Sequence, residues 1–150
     1  MNTKTPPSMP RAPLEASVAE VMAPTLVHCR PDASLRDVAH LMTTHGIHAV
    51  YVFDEILDED EPPALWGLVT DLDLVAAWPV LDERSAGGSA VTPLVMVPSD
   101  EPLGRAAQLM VESGTAHLAV TDPTTGAPVG VLSTMDIARV IAGGLTVDVV

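Results

Sequence analysis

The sequence holds a single cysteine, Cys29, so no internal disulfide can form and the chain suits a reducing compartment. Lys and Arg number only seven against twenty Asp and Glu, for a formal charge of −13. That balance argues against nucleic acid and anionic membrane surfaces as partners, because phosphate binding needs clustered Lys and Arg. Aromatics are scarce, so a core must be built from Val, Leu, Ala, Ile and Met. No apolar run approaches the roughly 20 residues of a membrane span. Residues 1–13 are Pro-rich, with Lys4 and Arg11 as their only basic residues, and lack the apolar stretch of a signal peptide. They read as a disordered tail on a cytoplasmic protein.

What the sequence has is a repeat. LVHCRPDASLRDVAHLMTTHGIHAVYVFD (Leu26 to Asp54) aligns with LVMVPSDEPLGRAAQLMVESGTAHLAVTD (Leu94 to Asp122) at an offset of 68 positions. Leu35 falls on Leu103, Leu41-Met42 on Leu109-Met110, and Gly46 on Gly114. After a loop five residues longer in the first copy, GLVTDLDL (Gly67 to Leu74) falls on GVLSTMDI (Gly130 to Ile137). A unit of this length, present twice, is too long and too few for a solenoid. It suggests two similar half-domains packed on each other, with sites between them.

Each copy reads as β-α-β-β-α, an α/β organisation. In the first, Leu26-Val27 starts a short strand. Ser34 and Asp37 form a capping pattern, and Leu35, Val38, Ala39 and Met42 make the apolar stripe of a helix that Gly46 ends. Ile47 to Phe53 and Trp66 to Val69 read as strands around an acidic loop, residues 54–64. Asp71 to Trp78 reads as a helix stopped by Pro79. In the second copy the strand Leu94 to Val97 leads through Pro102 into the stripe Leu103, Ala106, Ala107, Met110, closed by Gly114. Strands Thr115 to Thr121 and Pro128 to Leu132 and a helix Thr134 to Ala142 follow. Ser17 to Met22 reads as a helical turn, Ser85 to Ser89 as part of a flexible linker, and Leu145 to Val150 as a short terminal strand. Neither half is expected to stand alone, since each stripe needs another layer to cover it.

The LMxxxG helix ends, the strands after them and the duplicated closing motif G-h-h-[ST]-x-x-D-h together resemble a tandem pair of CBS domains, the regulatory modules named after cystathionine β-synthase. The resemblance runs from about Ser17 to Ala142. It divides the chain into a tail (1–13), a first CBS domain (14–80), a linker (81–90) and a second CBS domain (91–150). It implies a pseudo-twofold, Bateman-type pair with two clefts between the halves, and a homodimer in the form of a flat disc.

In nucleotide-binding members of this family the motif Asp accepts hydrogen bonds from ribose hydroxyls, and the Ser or Thr three residues earlier sits beside sugar and phosphate. Thr70 with Asp73, and Ser133 with Asp136, hold these positions here. The following helix would turn free N–H groups toward an anion. The same Ser/Thr-x-x-acid spacing is also a plain helix cap, so the motif reads either way. By resemblance one cleft combines Thr25, Val27, Ile47 and His48 with Ser133, Asp136 and His117. The other combines Leu94, Val95, Thr115 and Ala116 with Thr70, Asp73 and His48. Family members that bind phosphates often place His or Arg where this chain has His48-Ala49 and Ala116-His117, and the family's common Pro is replaced by Tyr51 and Ala119.

Arg36, Arg105 and Arg139 are the candidate cleft or rim cations, with Arg139 one helical turn beyond Asp136. So acidic a chain suits AMP, ADP, an adenosine moiety or cationic S-adenosylmethionine better than ATP, whose triphosphate would call for Mg²⁺. No metal site is expected from His28, Cys29, His40, His45 and His48, whose spacing matches no helix face. Residues 54–61 lack the glycine and spacing of an EF-hand. Trp66 and Trp78 are assigned to the core edge or a dimer interface. No nucleophile–base pair is identifiable around Cys29. The expected function is non-enzymatic: a sensor of an adenine nucleotide or adenosyl ligand that acts on a separate regulated protein. The alternative is a ligand-free dimerisation or interaction module.

Overall fold

The structure is a computed structural model that describes residues 15–24, 26–53, 65–90 and 94–143. The expected tail, the acidic loop, Thr25 and the terminal strand lie outside the described residues. The first copy runs β1 (His28–Cys29), α2 (Leu35–His45), β2 (Ala49–Phe53), β3 (Leu65–Thr70) and α3 (Asp71–Ala76), preceded by α1 (Val18–Val21). The second runs β4 (Met96–Pro98), α5 (Leu103–Ser113), β5 (His117–Thr121), β6 (Pro128–Ser133) and α6 (Thr134–Gly143), preceded by α4 (Ala86–Ser89). Each copy forms a three-stranded sheet with its middle strand parallel to the first and antiparallel to the third. A parallel pair needs a crossover, which α2 and α5 supply.

The local signals act as the sequence suggests. The Ser34 hydroxyl accepts the Asp37 N–H at 3.1 Å, filling one of the N–H groups that a helix start leaves open. Gly46 and Gly114 end their helices at φ 63° and 64°, a left-handed conformation that a side chain disfavours.

Alternation along the strands builds three cores. Val50, Val52 and Val69 face α2 with Leu35, Val38 and Met42. Leu118, Val120 and Leu132 face α5 and α6 with Leu103, Met110 and Val140. The opposite faces meet each other: Ala49, Tyr51, Phe53 and Leu68 of the first sheet pack on Ala119, with Leu26, Leu94 and Val131 at the margin. Both faces of β2 are therefore buried along its whole length. Full burial of a Val or Leu side chain is worth about 1.5–3 kcal/mol, so this sheet-on-sheet layer is a major part of what joins the halves.

The halves also exchange their leading turns. Val18 of α1 is fully buried in the second-copy core, and Val18 and Ala19 donate to the carbonyls of Glu101 and Ser99 at 2.9 and 2.8 Å. Ala86 of α4 is fully buried in the first-copy core, and Ala86 and Gly87 donate to Ala33 and Pro31, both at 2.8 Å. These pairs correspond at the same offset of 68 positions, so the repeat reaches back to Ser17 and Ser85. Residues 86–89, read as flexible, form a capped turn with the Ser85 hydroxyl accepting the Gly88 N–H at 3.2 Å.

Two further differences concern boundaries. The helix expected to run to Trp78 ends at Ala76, and Trp78–Glu83 continues as a 3-10 segment with Pro79 in its first turn, where a missing N–H is tolerated. β1 and β4 begin at His28 and Met96, two residues later than expected, because Leu26 and Leu94 pack at the inter-sheet core instead.

Candidate functional site

Two clefts open between the copies. In the first, the turn after α2 brings Gly46, Ile47, His48 and Ala49 opposite Ser133, Asp136 and Arg139 of α6 and its cap. His117, Val131, Met135 and Ala23 complete a cleft of about 130 Å³. In the second, the turn after α5 brings Gly114, Thr115 and Ala116 opposite Thr70, Asp71 and Asp73. Leu68, Leu72, Leu94, Val95, Ser113 and His117 complete a cleft of about 510 Å³.

The strand register creates this arrangement. Ala49 pairs with Thr70 across β2 and β3, and His117 pairs with Ser133 across β5 and β6. The start of each middle strand thus lies beside the start of its own copy's last helix. Asp71 N–H donates to the His48 carbonyl, and Thr134 N–H to the Ala116 carbonyl, both at 3.0 Å.

The carboxylates are held in complete capping boxes. Asp73 Oδ2 accepts the Thr70 N–H at 2.8 Å and the Thr70 hydroxyl at 3.0 Å, and that hydroxyl accepts the Asp73 N–H at 3.3 Å. Asp136 and Ser133 repeat this at 2.8, 3.0 and 3.2 Å. Capping therefore accounts for one oxygen of each carboxylate. The other, Oδ1, accepts Arg139 Nη1 at 3.3 Å in Asp136. Asp73 Oδ1 has no hydrogen bond among the described residues.

His48 Nδ1 lies 2.9 Å from Asp71 Oδ2, and both side chains are more than half exposed. The pair spans the two clefts, since His48 lines the first and Asp71 the second. His117 lines both, and its burial pulls its pKa below the ordinary histidine value.

Most of the residues expected at these clefts lie at them. Ile47, His48, His117, Ser133, Asp136 and Arg139 line the first, and Thr70, Asp73, Leu94, Val95, Thr115 and Ala116 the second. Val27 packs against the first-copy core instead, and its carbonyl accepts the Tyr51 N–H at 3.0 Å. His48 does not line the second cleft; its side chain is turned to Asp71, and His117 stands there in its place. Of the candidate cations only Arg139 reaches a cleft. Arg36 pairs with Asp82 of the 3-10 segment at 2.7 Å, and Arg105 lies 3.8 Å from Glu101 in a separate pocket lined by β4 and α5.

Asp71 and Ala23 were not expected at the clefts. Asp71 could have been found from its acidic neighbour Asp73, two positions away at the helix start. Ala23 carries no sequence signal; it arrives because it pairs with Val131 at the edge of β6.

The chain belongs to the CBS domain family, whose profile matches residues 18–80 and 89–143. No curated protein matches it. Among solved structures it is similar to the CBS domain pair of protein MJ0100, determined with 5-methylthioadenosine and S-adenosyl-L-methionine, at a TM-score of 0.72 and 19% identity over 85% of this chain and 97% of that one. A hexameric CBS-CP12 protein from bloom-forming cyanobacteria gives a TM-score of 0.69 at 23% identity, covering 82% of this chain and 69% of that one. The CBS domain of the bacterial CNNM/CorC family Mg²⁺ transporter gives 0.69 at 24%, covering 87% and 78%. Among the described residues no helix is long and apolar enough to cross a membrane.

Proposed function

We propose that this CBS pair is a non-enzymatic sensor that binds an adenosyl ligand, such as AMP, ADP, ATP or S-adenosylmethionine, in the clefts between its halves. The observation that carries the reading is the arrangement of the clefts. Each sets the strand start of one copy against a helix-start carboxylate of the other, and each carboxylate keeps Oδ1 outside its capping box. Such an oxygen can accept a ribose hydroxyl without unmaking the helix cap. A ligand bridging the halves favours whichever relative disposition of them it fits better, and a separate partner can read that population shift.

The test is thermal unfolding of the full chain with AMP, ATP and S-adenosylmethionine at millimolar concentration, where even weak binding raises the midpoint. Asp73→Asn and Asp136→Asn keep the shape of the carboxyl group and lower its acceptor strength. At least one should abolish the ligand shift while the unliganded protein stays folded. Absence of any shift in the unaltered chain overturns the reading.

A second reading, a ligand-free module whose role is self-association, rests on exposed apolar residues. Val75, Trp78 and Ile141 are 68, 75 and 70% exposed. Trp78 and Ile141 occupy equivalent positions of the repeat, which suits a twofold interface between copies of the chain. Sedimentation of the chain and of Trp78→Glu tests it: a dimer converted to monomer supports this face, and a monomer in both removes it.

A further inference from the structure

The two clefts descend from one repeated design, yet their charges differ. The first holds Asp136 and Arg139 in contact at 3.3 Å, with His48 and His117 beside them. The second holds two carboxylates, Asp71 and Asp73, with His117 as its only basic side chain among the described residues. The substitutions between copies that produce this are few. The position of Arg139 is Ala76 in the first copy, and that of Asp71 is Thr134 in the second. His48 of the first cleft corresponds to Ala116 in the second. Histidines aside, the charged side chains of the first cleft, Asp136 and Arg139, cancel, whereas the second keeps the two carboxylates of Asp71 and Asp73.

We propose that the clefts take ligands of opposite charge. The first takes a phosphate-bearing adenine nucleotide, with Arg139 and His48 at its anionic end. The second takes a phosphate-free adenosyl compound that carries a positive group, with Asp71 as the residue that sets this preference. The assignment rests on the adenosyl reading above.

The electrostatic argument has two parts. A phosphate entering the second cleft would face Asp71 and Asp73 with no Arg or Lys among the described lining residues to offset them. Like charges set close together in a partly dry cleft cost affinity and reject the wrong ligand. A sulfonium or ammonium group meets attraction from the same two carboxylates. The hydrogen bond from His48 to Asp71 adds a link. A phosphate in the first cleft attracts the His48 side chain, which loosens its hold on Asp71 and leaves that carboxylate available to a cation in the second. The larger opening of the second cleft, about 510 Å³ against about 130 Å³, also leaves room for a substituent beyond the nucleoside.

Calorimetric titration of the full chain tests this with AMP and S-adenosylmethionine as the probes. AMP should fill one site per chain. S-adenosylmethionine should bind the AMP-saturated protein at a second site. Arg139→Ala should weaken AMP by about tenfold or more and leave S-adenosylmethionine within about threefold. Asp71→Thr, which installs the residue found at the matching position of the other copy, should do the reverse and admit a second AMP. AMP filling both clefts of the unaltered chain, or Asp71→Thr leaving S-adenosylmethionine binding unchanged, overturns the assignment and spares the adenosyl reading. Binding by neither probe overturns the assignment, and the adenosyl reading falls with it when ATP also leaves the thermal midpoint unchanged.

Discussion

The hydroxyl of Tyr51, in the middle strand of the first sheet, donates a hydrogen bond to the Gly130 carbonyl of the second at 2.5 Å. The ring is fully buried between the sheets, and its burial raises the phenol pKa well above the ordinary value. The contact places a polar tether inside an apolar layer that otherwise has no direction. Removing the hydroxyl leaves the Gly130 carbonyl without that donor in a buried site, a loss of about 1–3 kcal/mol. Tyr51→Phe should therefore lower the unfolding free energy by that amount, read as a urea midpoint shifted down by the loss divided by an unchanged slope, because the ring still fills its space. A midpoint equal to that of the parent would show that the hydrogen bond contributes nothing net.

Gly130 has a second constraint. A Cβ there would collide with the Ala23 carbonyl oxygen and meet the Met22 sulfur at 2.9 Å. The sulfur sits on a flexible side chain and can move. The backbone oxygen cannot, since Ala23 and Val131 exchange hydrogen bonds of 3.0 and 3.1 Å. Gly130→Ala should push the leading segment off the edge of β6 at a cost of about 1–3 kcal/mol. Hydrogen exchange at Ala23 and Val131 should quicken more than at the β5 amides. Uniform quickening would place the strain elsewhere.

Much of the scaffold was legible because its signals are local. Ser34, Gly46 and Gly114 act within one helical turn of themselves, and the apolar stripes need only their own periodicity. The repeat suggested that sites lie between two packed halves, and the resemblance to CBS domains supplied which strand start and which helix start meet there. Three things were not legible. The turns around Val18 and Ala86 make their contacts with the opposite copy, and nothing in their own residues says so. The His48–Asp71 contact depends on the register that sets Ala49 beside Thr70, which is known only once β2 and β3 are paired. Pro79 looked like a stop because a proline ends an α-helix; it also fits the first turn of the 3-10 segment that follows.

Cys29 offers a check on the first-copy core. It is buried, and its thiol pKa is pushed up to about 11, first by burial and then by the charges of Asp32 and Asp37. Roughly one thiol in a thousand is then ionised at pH 8, and the thiolate is the reactive form. Ellman's reagent should modify the native chain at least about a hundredfold more slowly than the urea-unfolded chain. A pKa raised in the folded state adds stability that is complete below the unfolded thiol value and is lost as the pH climbs toward 11. Cys29→Ala should remove that alkaline loss, at the cost of a small cavity.

His117 gives the opposite dependence. Burial lowers its pKa; the charges of Asp71, Asp136 and Asp73 act against this, and His48 reinforces it. The unfolded chain therefore takes up a proton at this position before the folded chain does. As the pH falls through the ordinary histidine value of 6.5 toward the lower folded value, the unfolded state gains protons and stability is lost. Below the folded value both states are protonated and the loss stops. His117→Ala, which places at this site the residue found at Ala49, should flatten the dependence on the acid side of neutrality while leaving the alkaline side alone. Urea midpoints of the two proteins, measured in parallel from about pH 7.5 to 5.5, decide it. If the two curves fall by the same amount over that range, the acid loss belongs to other groups and His117 is not held neutral by the seam between the clefts.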